Sequence, residues 1–153
     1  MAIEYNLDVR TNLTREVLAD ILILNQSETF KKGVQAEIVR LSAKDVLVMY
    51  ISSPADPSSP TFIQVWTSLR GIVPNVFVTF RFPNNTGGKR THISMLKTVV
   101  NVLEQTSDDV VFYHHDNMLR RQAGKVVLQS KAAFWTEDRL ALITVPYTFG
   151  ELN

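Results

Sequence analysis

Residues 3–10 alternate in polarity, with Ile3, Tyr5, Leu7 and Val9 separated by Glu4, Asn6, Asp8 and Arg10. Period-two alternation sends the two sets to opposite sides of an extended chain and predicts a half-buried strand. Asn12 or Thr14 is placed to cap a helix over residues 14–26. Val17, Ile21 and Leu24 recur there with Leu18 and Leu22 beside them, and Glu16 sits in the first turn. Lys31-Lys32-Gly33 closes this unit. Residues 34–41 and 45–52 predict a hairpin about Ser42-Ala43-Lys44, and the doubly apolar run 46–51 suits a central strand. Residues 53–60, with three prolines and three serines, predict an exposed loop, because proline cannot donate to a ladder. Residues 61–71 read as a short helical or irregular segment containing Phe62, Val65, Trp66 and Leu69.

The opening pattern then returns. Residues 75–82 predict a strand with Val76, Val78, Phe80 and Phe82 on one side. A glycine-rich turn follows, and then a helix over 91–105 with Leu96, Val99, Val100 and Leu103 on its buried stripe. Residues 109–115 predict a strand, and 118–121 with 125–129 a hairpin about Ala123-Gly124. Strand, helix and hairpin thus occur twice, near 3–52 and 75–129, as pseudo-repeat halves of one domain spanning 1–153. The expected architecture is α+β: a mainly antiparallel sheet with two helices on one face, from two β-α-β-β units. Phe134, Trp135 and the apolar run 140–145 are expected to cover part of the second face, with a tail after Pro146.

Composition narrows the chemistry. With 153 residues, one domain with a substantial core is expected. Zero cysteines exclude disulfides, thiolate metal sites and a cysteine nucleophile. The net charge of +1 is spread evenly, with −1 over residues 1–76 and +2 over 77–153, which speaks against nucleic acid as the partner. A charged, alternating N-terminus is unlike a secretory signal, and no window is apolar enough to span a bilayer, so a cytoplasmic protein without membrane association is expected.

Catalytic motifs are absent: neither G-x-S-x-G nor H-E-x-x-H occurs. His114-His115-Asp116 ends a predicted strand, where neighbouring side chains point to opposite faces. The two rings are therefore not expected to chelate one ion, and only one of them could join Asp116 or a distant residue such as His92. The turn Asn84-Asn85-Thr86-Gly87-Gly88-Lys89 precedes a helix, as anion-binding loops do, yet lacks phosphate-loop spacing and reads as a plain loop. Arg120, Arg121 and Lys125 form a small basic cluster, read first as solvated surface and alternatively as a recognition patch.

Four stretches carry a family likeness. They are Met1-Ala2-Ile3-Glu4-Tyr5, then Ser68-Leu69-Arg70-Gly71-Ile72 leading into 76–82, then 109–112 before Leu119-Arg120-Arg121-Gln122-Ala123-Gly124, and Trp135 ahead of 140–147. In these the chain resembles the immunity proteins paired with the swarm-inhibition toxins of myxobacteria, a bacterial polymorphic-toxin system. After Phe82 that family tends to show an acidic residue, where this chain has Pro83-Asn84. The resemblance implies a protein that is not an enzyme and neutralises a cognate toxin protein domain by binding it; no cofactor or metal is expected. The contact residues expected are Trp66, His114, Asp116, Arg120 and Arg121. Two other readings compete: a self-associating module, such as a homodimer built on doubly apolar strands, and a small hydrolase using His114 or His115.

Overall fold

Alternation over the first segment does make a strand, β1 (Ile3–Arg10), and it lies inside the sheet rather than at an edge. The computed structural model describes residues 3–24, 31–32, 38–40, 47–82 and 88–152. The remaining elements in chain order are α1 (Arg15–Leu22), β2 (Lys31–Lys32), β3 (Ile38–Arg40), β4 (Val48–Ser52), α2 (Pro60–Arg70), β5 (Val76–Phe82) and α3 (Lys89–Gln105). They are followed by β6 (Asp109–Tyr113), β7 (Asn117–Gln122), β8 (Lys125–Gln129), α4 (Glu137–Leu140) and β9 (Thr148–Gly150). Among the described residues the strands form one nine-stranded sheet ordered β2-β3-β4-β5-β1-β6-β7-β8-β9. Every pair is antiparallel except β8 with β9. The fold is α+β. No described helix is long and apolar enough to cross a membrane.

Register explains the core. Leu7 pairs with Val78 on one side and Phe112 on the other, and Val9 with Val76 and Val110, so the apolar sets of three strands share one face. Against it pack Leu18, Ala19 and Leu22 of α1 and Met95, Leu96 and Val99 of α3. Each large side chain buried here contributes about 1.5–3 kcal/mol. Thr14 starts α1 as expected, its hydroxyl accepting from the Val17 amide at 3.2 Å. The buried stripe is Leu18, Ala19 and Leu22, however, whereas Val17 and Leu24 are exposed. The element order of the first half recurs in the second, but the wiring differs. The chain after α1 runs to the far edge, β2, whereas the chain after α3 runs to β6, directly beside β1. Lys31-Lys32, expected to close the first unit, pairs with β3 instead. The expected turn at 42–44 and the glycine-rich stretch 83–87 lie outside the described residues.

The cover of the second face departs from expectation. Phe134, Trp135, Leu140, Leu142 and Val145 pack on the same side as α1 and α3, and the segment expected to be a tail adds the edge strand β9. The second face is covered by α2, whose Trp66 packs on Ile72, Val111 and Tyr113 and lies 5.3 Å from the Phe77 ring. Local chemistry makes this helix. Ser59 accepts from the Phe62 amide at 3.1 Å, Pro60 occupies the first turn, and Gly71 closes the last with φ 78°. Cover is incomplete: Tyr50 of β4, on this face beside Thr79, stays 38% exposed.

Candidate partner-binding surface

The histidine pair breaks the alternation rule because β6 stops at Tyr113 and the chain bends over 114–116. Freed from the ladder, the His114 and His115 rings lie 4.1 Å apart instead of on opposite faces. His114 stacks on Tyr5 at 4.8 Å, and its Nδ1 hydrogen-bonds the Glu4 carbonyl. His92, from the first turn of α3, meets Tyr5 edge-on at 5.7 Å. His92 and His114 thus both rest on Tyr5, with His115 stacked beyond His114. A carbonyl only accepts, so the 2.9 Å contact from His92 Nδ1 to Gly88 O places the proton on Nδ1, leaving Nε2 to face the Tyr5 hydroxyl at 3.4 Å. Burial lowers the His92 pKa, against the Gly88 hydrogen bond, and so favours the neutral ring, while burial raises that of Tyr5. Among the described residues, no group of three or more histidine or carboxylate side chains is placed to hold a metal.

Sequence neighbours Arg120 and Arg121 are separated by the sheet. Arg121 lies on the helical face and is buried. Its Nη1 donates to Leu103 O at 2.7 Å, Nε to Asp108 O at 2.7 Å, and Nη2 to Thr106 Oγ1 at 3.0 Å. It thereby satisfies the Leu103 carbonyl, orphaned at the end of α3, and the Asp108 carbonyl beyond it, so its guanidinium is committed inside the fold. Arg120 faces the opposite way. Its side chain lies over Gly71, where a Cβ would come within 2.2 Å of Nη1. Asp116 is exposed in the bend, its carbonyl accepting from the His114 amide at 3.4 Å. Trp66 is half-buried between α2 and the sheet. The five expected contact residues therefore do not form one patch. Trp66 and Arg120 share the second face, His114 and Asp116 lie in the bend, and Arg121 is inside.

Beneath α2 lies a polar network that sequence reasoning did not single out. Asp8, fully buried, accepts from the Tyr113 hydroxyl at 3.0 Å. Arg70 sits over the Tyr113 ring, 3.6 Å from its centroid, and its Nη1 donates to Asn117 Oδ1 at 3.0 Å. Asn117 in turn donates to Leu69 O and Leu152 O, tying α2 to the C-terminal segment. Burial pushes the Asp8 carboxyl up to about 7, against the Tyr113 hydrogen bond and the Arg70 charge. The same burial, with the Asp8 charge beside it, raises Tyr113. The outer side of α2 is the reverse: residues 57–69 hold no charged side chain, and Ile63, Val65 and Leu69 are 42%, 44% and 57% exposed.

The family model described as SitI3-like matches residues 3–139. The chain belongs to the SitI3-like family. No curated protein and no solved structure matches it. The SitI3-like match takes in β1 to β8, α2 with its uncharged outer side and the Asp8 network as far as Asn117. The edge strand β9 falls after it. Sequence signals for α2 were present in this SitI3-like chain: Ser59-Pro60 at its start and Gly71 at its end. Asp8 gave none, because a carboxylate on the polar side of an alternating strand reads as solvent-facing.

Proposed function

We propose that this SitI3-like chain is an immunity protein that neutralises a cognate bacterial toxin domain by direct, non-catalytic binding. The observation that carries the reading is the family match over residues 3–139. The geometry supports it in one respect. Surface helices normally turn charged residues outward, yet α2 turns out Thr61, Gln64 and Ser68, flanked by exposed Ile63 on one side and by Val65 and Leu69 on the other, with no charge among them. Depletion of charge with retained apolar area is the composition of an interface core. Arg10 shares a surface cleft with Ile63, Arg120 lies over Gly71 at one end of the helix and Asp56 precedes its other end, groups able to select a partner. Of the contact residues expected from the sequence, Trp66 is the side chain by which this helix is anchored on the sheet and Arg120 lies at its C-terminal end.

Co-expression tests the proposal. The chain is produced together with the toxin domain encoded beside its gene, in cells that the toxin alone kills. Restored growth and co-purification of the two proteins are expected. Continued killing at full expression of the folded chain contradicts the reading.

A further inference from the structure

Among the described residues Asp8 is the one acidic side chain that is fully buried. Its Oδ2 accepts from Tyr113, and its Oδ1 has no hydrogen-bond partner among the described residues. Above it lies α2, none of whose residues is fully buried, and whose Arg70 Nε is also buried without a partner. Among the described residues the charged and titratable groups facing Asp8 are Tyr113 from β6 and Arg70 from α2, with Arg10 exposed two residues on along the same face of β1. The ladder neighbours of Asp8, Phe77 of β5 and Val111 of β6, carry no charge, and Asn117 of β7 does not titrate.

We propose that α2 is a pH-sensitive latch, seated on the sheet when Asp8 is protonated and loosened when Asp8 ionises. A neutral carboxyl is tolerated in this apolar setting. An ionised one leaves a charged Oδ1 that no described group satisfies while α2 is seated, and water reaches it when α2 lifts. Arg70 works the other way, drawing α2 towards an ionised Asp8. Burial outweighs it, consistent with a carboxyl titrating near 7. The seated helix therefore holds the Asp8 proton more tightly than the lifted one. Linkage then makes lifting rise by up to about tenfold per pH unit above the ordinary carboxylate range and level off near 7. The latch rests on Asp8, Tyr113 and Arg70, not on the immunity reading.

Amide hydrogen exchange of the intact protein between pH 5 and pH 8, corrected for intrinsic rates, tests it. The opening constant of the α2 amides is expected to climb about tenfold or more from pH 5 to pH 7 and then flatten. Amides of α1 should not follow it. Asp8→Asn, which cannot ionise, should abolish the climb. Tyr113→Phe keeps the ring but removes the Tyr113 donation to Asp8, so it should move the climb to higher pH. A flat wild-type profile, or the same climb in α1, overturns the proposal. So does an unaltered climb in Asp8→Asn. If Asp8→Asn does not fold, an unmoved midpoint in Tyr113→Phe overturns it equally.

Discussion

Arg121 Nη1 donates to the carbonyl of Leu103 at 2.7 Å, so a strand residue closes the C-terminus of the long helix α3. Two further donations, to Asp108 O and Thr106 Oγ1, fasten the α3–β6 connection. Truncating this side chain strands buried carbonyls without donors. Arg121→Ala is expected to cost about 2–4 kcal/mol in urea unfolding, whereas Arg120→Ala, at its half-exposed site, should cost under about 1 kcal/mol. Equal losses for the two would contradict the separate roles of the neighbouring arginines.

Gly71 ends α2 in the left-handed region, at φ 78°, directly under Arg120. Gly71→Ala pays both for the backbone conformation and for the contact with Nη1. A loss of about 1–2 kcal/mol is expected. In a double-mutant cycle Arg120→Ala should recover the contact part and leave the backbone part. Full recovery would mean that φ is unimportant at this position.

His92 and Asp8 make stability depend on pH in opposite senses. Burial lowers the His92 pKa below the ordinary 6.5, so its contribution is complete above pH 6.5 and is lost as pH falls through the folded-state value. Asp8 is raised from 3.8 to about 7, so its contribution is complete below pH 3.8 and is lost as pH rises towards 7. Chemical denaturation across pH 4.5 to 8 should show His92→Gln losing less stability than the wild type on acidification below 6.5. Parallel curves for the two proteins would contradict the neutral, Gly88-bound ring.

The outer side of α2 is predicted to bind without stabilising. Leu69→Asp, at a side chain 57% exposed, should change stability by no more than about 0.5 kcal/mol while weakening toxin binding at least about tenfold. Lys97→Asp, on the exposed side of α3, serves as the control and should bind normally. Toxin affinity unchanged by Leu69→Asp would move the interface elsewhere on the chain.

Much of the framework was legible because two-fold alternation is hard to mistake. β1 and β5 fell where Tyr5-Leu7-Val9 and Val76-Val78-Phe80 placed them, and Ala123-Gly124 made the expected turn, with φ 50° and 79°. Local pattern does not tell which face a segment will cover. Phe134 and Trp135 joined the helical side, and the second face fell to α2, a helix whose inward Phe62, Trp66 and Arg70 are each only half-buried. The expected contacts failed to gather for the same reason. Alternation requires a ladder, and His114 and His115 lie just beyond its end, while Arg120 and Arg121 obey it and part company. The Asp8 network was invisible because its members come from β1, α2, β6 and β7.

Titration of purified toxin with purified SitI3-like chain bears most directly on the central claim. Toxin activity is expected to fall in proportion to added chain and vanish at one equivalent, with a stable complex recovered and neither protein altered in mass. Inactivation by a small fraction of an equivalent, with covalent change in the toxin, would reveal an enzyme. Full toxin activity at excess folded chain would contradict neutralisation altogether.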